Sequence, residues 1–339
     1  MRWTAPLLVA VALAAGCDVG GEEAEPPAQP TERTTTTEPA PETTTAEPEE
    51  TPSLVWVGVE DADALVLVDV VQGKIIERHD VPGPPHNVTV ASDGTAAAAL
   101  YGGDHLALVG TRSAVAVELG ATPHDVKAVG GLFVVANEAA RRIELVRRDR
   151  RVASVSLKAE PHDLAVSSGG RSIWVTLNGT DELAVVDLRR RRVERYASTG
   201  QSPHDILFSP AGELWVTDWS GPVHVFRADG KLRASVELGE EAHHLAFTPD
   251  GHQAWITDHG VNRVFVVDTR SLRVIASLAV PGAPHHVAVT ADGSLAAVAD
   301  HDNGTLIVYD VRRHKRVRTI EVGPGPHGVW AVPADAPRR

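Results

Sequence analysis

A seven-fold repeat constrains the fold of this chain more than any other feature of its sequence. Each copy places a histidine at the start of an alternating apolar run, as in "PGAPHHVAV", and successive histidines are 38–42 residues apart. A period of this length accommodates four short strands and their turns, which is one blade of a β-propeller. The sequence therefore predicts an all-β, seven-bladed propeller. The repeated histidines are His86, His124, His162, His204, His243, His285 and His327.

The two ends of the repeat region complete each other. The unit that begins at His243 contains four alternating segments, at residues 243–248, 253–257, 262–268 and 272–279. Residues 54–81 contain only three such segments, and the tail from His327 contains one. We therefore expect the N-terminal strands to pair with the C-terminal strand in a seventh blade, which closes the ring and removes two exposed sheet edges. The predicted propeller spans residues 53–333, and residues 334–339 form a tail.

The first 52 residues have a different composition. The opening "MRWTAPLLVAVALAAGC" resembles a bacterial lipoprotein signal over residues 1–17, with Cys17 as the lipidated residue, although Ala14 stands where Leu is usual. An ordinary cleaved signal is the alternative. Residues 18–52 are rich in Glu, Thr and Pro, too polar to bury a core, and are predicted to be a disordered tether. We expect an extracytoplasmic protein held by its lipid at the bacterial cell membrane.

Charge and cysteine content exclude several kinds of site. The chain has a formal net charge of −13, which disfavours general nucleic-acid binding. Cys17 is its only cysteine, so lipidation would leave no thiolate for a zinc, iron–sulfur or blue-copper site. Any metal must then be bound by imidazole and oxygen. We expect a monomer whose ligand is a metal ion or a small molecule.

The repeat itself resembles a known family. The segments "PHHVAVTADG" and "AWITDHGVNRVFVVDT", followed by a return to "VPG", are similar to the YVTN family of seven-bladed propellers. The resemblance covers residues 54–331 and implies the same fold. Related propellers include lactonases, streptogramin lyases and the copper-cluster domain of nitrous oxide reductase, so the resemblance leaves function open.

Circular closure predicts a site on the axis. The first strand of each propeller blade lines the central channel, so the seven histidines should meet at one opening, here called the histidine mouth. Imidazole without thiolate suits copper or zinc, and the affinity order favours copper. We therefore predict that the seven histidines bind a metal ion, most simply copper. A turn-capping role for each histidine is the structural alternative.

Further polar residues should lie around the same mouth. Some directly follow the ring histidines, and others lie in the loops after each second strand, which the strand directions place on the same face. They are predicted to orient the ring nitrogens or to act as additional ligands. These residues are Asp125, Asp163, Asp205, His244, His286, His105, Asp218, Trp219, Asp258, His259, Asp300 and His301.

Two other functions stay open at this stage. The first is a metal-assisted lactonase or lyase acting on a small cyclic ester, with a ring histidine as general acid–base. The second is a protein-interaction platform with a purely structural histidine ring. The arginine-rich turns "RRDRR" and "DLRRRRV" should lie on the opposite face, either simply solvated or resting on an anionic membrane surface.

Overall fold

Seven four-stranded antiparallel sheets make up the described part of the chain, residues 53–110, 114–200 and 202–337 of the computed structural model. The predicted signal, Cys17 and the predicted tether lie outside the described residues. Apart from one 3-10 turn at Glu60–Ala62, the regular elements are all strands. The predicted all-β, seven-bladed propeller is confirmed.

Each blade begins with the strand nearest the axis and runs outward. Blade 1 contains β4 (Pro85–Val90), β5 (Ala96–Leu100), β6 (His105–Val109) and β7 (Ala114–Glu118). Blade 2 contains β8 (Pro123–Val129), β9 (Leu132–Asn137), β10 (Arg142–Arg147) and β11 (Arg150–Ser156). Blade 3 contains β12 (Pro161–Val166), β13 (Ser172–Leu177), β14 (Glu182–Asp187) and β15 (Arg192–Ser198). Blade 4 contains β16 (Pro203–Phe208), β17 (Leu214–Asp218), β18 (Val223–Phe226) and β19 (Leu232–Val236).

The remaining blades follow the same order, except that the last is assembled from both ends of the propeller. Blade 5 contains β20 (Ala242–Phe247), β21 (Gln253–Asp258), β22 (Arg263–Asp268) and β23 (Arg273–Ala279). Blade 6 contains β24 (Pro284–Val289), β25 (Leu295–Asp300), β26 (Thr305–Asp310) and β27 (Lys315–Glu321). Blade 7 contains β28 (Pro326–Ala331), β1 (Leu54–Val59), β2 (Ala64–Asp69) and β3 (Lys74–Asp80).

The seventh blade closes the ring as predicted. Strand β28 pairs antiparallel with β1, with Trp56 opposite Trp330 and Val57 opposite Val329. The innermost strand of this blade therefore comes from the end of the chain and its other three strands from the beginning. Pairing the two ends places β1 inside the sheet and makes β28 the inner edge strand beside the channel, as the first strand is in every other blade.

Apolar packing between neighbouring blades holds the ring together. The second and third strands are buried on both faces, as in β2, because each sheet packs against the next one. The outermost strands are largely exposed to solvent, with partly buried side chains at alternate positions of their second half, as in β3. Large side chains fill the gaps between blades: Trp255 of blade 5 packs with Val287 and Tyr309 of blade 6. This packing fixes the radius of the channel and therefore the spacing of the inner strands.

The two faces of the propeller differ in polarity. Inner strands start at the histidine mouth, and the turns between third and fourth strands lie on the opposite face. The arginines of those turns are exposed, including Arg148, Arg190 and Arg313. Within the ranges described above, no helix has the length and apolar character needed to cross a membrane.

Candidate metal centre

The seven repeated histidines form a continuous ring of imidazoles at the start of the inner strands. Neighbouring ring centroids lie 3.7–5.4 Å apart all the way around, including the step from His327 back to His86. Closure of the fold thus brings together side chains that are 38–42 residues apart in the sequence.

A β-bulge in each inner strand aims these side chains at the channel. The register between the first and second strands shifts at the histidine in all seven blades, and bulges of this kind redirect side chains. In blade 5 the bulge is stabilised by Thr257, whose hydroxyl accepts from the His244 amide at 2.9 Å and donates to the His285 carbonyl at 2.6 Å. The hydroxyl therefore ties blade 5 to blade 6 at the level of the ring.

Four of the ring histidines have a partner for Nδ1. The Nδ1 of His86 is 3.0 Å from Asn87 Oδ1, and that of His162 is 2.9 Å from Asp163 Oδ2. His124 and His204 instead contact the carbonyl of the next ring histidine, at 3.2 and 3.1 Å. These four side chains are held by hydrogen bonds, two to the next residue in the sequence and two to the neighbouring blade.

The histidines of blades 5, 6 and 7 differ from these four, because they have buried ring nitrogens without a partner in the described part of the chain. Six buried imidazole nitrogens in blades 5, 6 and 7 have no hydrogen-bond partner among the described residues, and we call them the unpaired nitrogens: His243 Nδ1, His244 Nε2, His259 Nε2, His285 Nδ1, His286 Nε2 and His327 Nδ1.

The residue after each ring histidine contributes to this difference. In blades 1 and 3 it is Asn87 and Asp163, whose side chains turn back to the ring nitrogen, whereas in blades 5 to 7 it is His244, His286 and Gly328. At the last of these positions a Cβ would come within 2.2 Å of the His86 carbonyl oxygen, so only glycine fits.

Three of the histidines that have an unpaired nitrogen form one group with metal-site spacing. His243, His259 and His285 each offer one ligand atom, and these atoms lie within 4.8 Å of one another. Their ring centroids are 3.6, 4.4 and 5.4 Å apart. His259 lies in the loop after β21, and a backbone hydrogen bond with Pro284 engages its imidazole. A second partner of this kind orients a ligating histidine.

Burial keeps these imidazoles neutral at physiological pH. It lowers the pKa of His259 to about 4, with His301 adding repulsion. It lowers the pKa of His285 to about 2, with His259 and His301 contributing. Burial, followed by neighbouring histidines, also holds the pKa of His243 well below its usual value. A neutral imidazole presents the lone pair that a metal requires.

Four other groups in the described residues have comparable spacing, so further sets of side chains offer the donors that a metal requires. They are Glu60 with His86 and His327, His124 with His162 and Asp163, His204 with His243 and His244, and Asp163 with Asp205 and His244.

The predicted carboxylates divide into two sets. Asp125, Asp163 and Asp205 lie below the ring in the channel: Asp125 binds Lys127 Nζ at 2.7 and 2.8 Å, and Asp205 Oδ2 is 3.2 Å from His244 Nδ1. Burial raises the pKa of Asp163 well above its usual value, with Asp125 and Asp205 contributing.

Asp218, Asp258 and Asp300, at the ends of second strands, are engaged with the adjoining loops. Asp218 accepts from the Ser202 and Ser220 amides, each at 2.8 Å, and Asp258 Oδ2 accepts from the Glu240 amide at 3.1 Å. Asp300 accepts from Asn303. These contacts show the carboxylates shaping the loops, and their role as ligands stays a prediction.

Of the predicted aromatic residues in the described loops, Trp219 and His301 contact the ring histidines and His105 does not. Trp219 packs edge-on against His204, with centroids 4.1 Å apart, and His301 stacks on His285 at 4.4 Å. His105 is the exception, because among the described residues it makes no ring contact with the axial histidines and its Nδ1 instead contacts the Gly103 carbonyl.

Sequence reasoning missed three residues that the structure places at the channel. Glu60 lies 3.8 Å from both His86 Nε2 and His301 Nε2. It follows β1, the second strand of blade 7. In the other six blades, the loops after the second strands are assigned to the histidine mouth, and the same reasoning would have identified Glu60. Lys127 follows its ring histidine by three residues, and Tyr101 in the loop after β5 lies 5.1 Å from the His86 ring.

Comparison with solved structures shows the same fold in several proteins. The chain is similar to the Kuenenia stuttgartiensis hydrazine synthase, with a TM-score of 0.69, 17% identity and coverage of 80% of this chain and 99% of that one. It is similar to apo AztD from Citrobacter koseri, with a TM-score of 0.66, 13% identity and coverage of 84% and 98%. It is also similar to virginiamycin B lyase from Staphylococcus aureus, with a TM-score of 0.65, 13% identity and coverage of 74% and 92%.

Sequence comparison gives the family. No curated protein sequence matched the chain. Residues 125–338, more than half of the chain, match the YNCE-like beta-propeller family, and the seven-bladed ring agrees with the predicted YVTN-type repeat. The chain therefore belongs to the YNCE-like β-propeller family.

Proposed function

We propose that this protein binds a transition-metal ion at the histidine mouth through His243, His259 and His285, and that copper is the ion bound most tightly. Two observations carry the proposal: these three histidines each offer a ligand atom within 4.8 Å of the others, and each has a buried ring nitrogen without a hydrogen-bond partner among the described residues. A buried polar atom without a partner costs about 1–3 kcal/mol. An ion coordinated by all three would offset that cost at once.

The donor set supports copper or zinc. Three neutral imidazoles are borderline donors that suit both ions, and copper stands above zinc in the general order of affinity. Three protein ligands leave a coordination position open. An open position permits exchange of the ion with another molecule, so delivery or sequestration of metal fits this site better than a purely structural ion.

The surroundings favour a cation. Glu60 and Asp302 both approach His301, which stacks on His285. The side chain of Glu60 raises the pKa of His301. Negative charge beside the mouth increases the local concentration of cations.

Metal titration of a matched pair of variants tests the proposal. The full chain, purified without an affinity tag and stripped with a chelator, is titrated with Cu²⁺ and with Zn²⁺ by calorimetry. We expect His259→Gln to weaken binding by more than the roughly 10–100-fold that follows loss of an outer-shell partner. His252→Gln is the control, because His252 is exposed in a turn on the opposite face. Equal affinity in wild type and His259→Gln would refute the site, and tighter zinc than copper binding would refute the choice of ion.

We also propose, from the sequence, that Cys17 carries a lipid that holds the protein outside the cytoplasm at the membrane. Cell fractionation tests this proposal. We expect the full chain in the membrane fraction and Cys17→Ser in the soluble fraction, and the same distribution for both would contradict the anchor.

A further inference from the structure

Two consecutive-histidine pairs, His243–His244 and His285–His286, lie side by side in blades 5 and 6. The first member of each pair belongs to the ring and to the proposed site. The second members lie below the ring and contact each other, with ring centroids 3.3 Å apart. They are almost fully buried, with exposed fractions of 3% for His244 and 8% for His286.

Both of these deeper imidazoles carry an unpaired nitrogen, Nε2, among the described residues. The Nδ1 of His244 lies 3.2 Å from Asp205 Oδ2. The two oxygens of Asp205 also accept the Ile206 and Leu245 amides, at 2.7 and 2.9 Å, which fixes the carboxylate as an acceptor. With Nδ1 beside this carboxylate, Nε2 is the nitrogen of His244 left to bind a metal, an arrangement of carboxylate and histidine that is typical of metal ligands.

A third unpaired nitrogen lies nearby. His327 has no partner for Nδ1 within the described part of the chain, and its ring lies 5.1 Å from His286 and 6.2 Å from His244. With metal–nitrogen bonds of about 2.0–2.1 Å, two imidazoles on one tetrahedral ion have centroids roughly 5 Å apart. The pair His286–His327 already has this spacing, and an ion would move His244 away from His286.

The charge balance at this level suits a cation. Lys127 is the ammonium that faces the channel here, and both oxygens of Asp125 bind it. Asp125 therefore neutralises this ammonium, and Asp205 lies beside His244 with its oxygens accepting two backbone amides.

The deeper histidines also line a cavity on the side away from the ring. His244, His286, Asp205 and Lys127 line a cavity of about 330 Å³ with Trp330 and neighbouring apolar side chains. The cavity is larger than a hydrated ion requires. None of the seven ring histidines, all within the described part of the chain, lines this cavity.

We propose that the channel holds a second transition-metal ion below the ring, bound by Nε2 of His244 and His286 and by Nδ1 of His327. None of these three nitrogens belongs to the first site. The inference takes its class of ion from the proposed function, but its ligands are separate, so each site can be removed alone.

Stoichiometry in a set of single variants tests the second site. The full chain is stripped of metal, equilibrated with Cu²⁺ and, separately, Zn²⁺, and dialysed, and bound metal is measured by elemental analysis and calorimetry. We expect two equivalents in wild type and in His252→Gln, one in His259→Gln, one in His286→Gln, and none when the last two changes are combined. His286→Gln is used because it leaves the Asp205–His244 contact in place, and circular dichroism checks that each variant is folded.

The outcomes separate the two proposals. If His286→Gln keeps the wild-type stoichiometry and affinity, the second site is wrong and the first can stand. If His259→Gln binds as wild type does while His286→Gln loses an equivalent, the second site stands and the first is wrong. Wild-type protein that binds neither ion refutes both.

Discussion

Acidification of the metal-free protein should destabilise it, because the axial histidines are buried in their neutral form. His259 and His285 have folded-state pKa values of about 4 and about 2, set mainly by burial, against an unfolded value of 6.5. Stability from such groups is fully present above pH 6.5. It is lost as pH falls from 6.5 toward the folded values, since only the unfolded chain takes up protons in that window.

The magnitude follows from proton linkage. Between pH 7.5 and 5.5, one histidine that is protonated only in the unfolded chain removes about 1.4 kcal/mol. His259 and His285 together remove about 2.7 kcal/mol, which corresponds to a fall in Tm of about 5–10 °C for a domain of this size. Several more axial histidines, including His124, His204 and His327, have lowered pKa values through burial and mutual repulsion and add to the effect.

Groups with raised pKa values oppose this trend, among them His301, Asp163 and Asp205. Glu60 raises the pKa of His301, and burial raises the pKa values of Asp163 and Asp205, so the folded state binds protons at these positions more readily. They are fewer than the lowered histidines, and the net effect remains destabilising.

Calorimetric melts in the presence of a chelator at pH 7.5 and 5.5 provide the assay. His259→Gln should reduce the loss of stability by about 1.4 kcal/mol, the contribution of one histidine, whereas His252→Gln should leave it unchanged. Equal midpoints at the two pH values, or a higher midpoint at pH 5.5, would refute the account of a crowded neutral ring.

Three further predictions concern the metal centre and the closure of the ring. Trp219 lies 6.4 Å from the His259 ring, so Cu²⁺ should quench its emission; Trp219→Phe should lose most of the quenching seen on titration, and quenching equal to wild type would place the ion elsewhere. Thr257→Val removes the hydroxyl that bridges two blades and should lower the free energy of unfolding by about 1–3 kcal/mol and weaken metal binding, whereas Thr269→Val, whose hydroxyl bonds Gly251 on the opposite face, should leave metal affinity unchanged; equal copper affinities in both variants would contradict the positioning role. A chain ending at Val322 lacks β28 and should show no cooperative thermal transition, whereas one ending at Pro333 should melt as wild type does; a normal melt for the shorter chain would mean that closure is dispensable.

The architecture could be predicted from the sequence because it depends on a period. A recurring histidine, alternating apolar segments and complementary ends determine the number of blades and the closing strand. The metal centre could be predicted only in part. Asp125 and Asp163 occupy the same repeat position, yet Asp163 contacts its own ring histidine and Asp125 contacts Lys127. Side chains with equivalent sequence positions therefore have different partners, and the unpaired nitrogens could be located only from contacts between blades.

The first and last residues of the propeller lie on the face opposite the imidazoles. Strand β1 starts at that side, and the Ser53 carbonyl accepts from the Val70 amide in the turn between β2 and β3. Strand β28 ends there too, with the Val332 amide bonded to the Leu54 carbonyl at 2.9 Å. A tag, a surface linkage or a partner joined ahead of Ser53 is therefore attached to the face opposite the histidine mouth. Attachment at this point leaves the mouth accessible to a molecule that delivers or removes the ion.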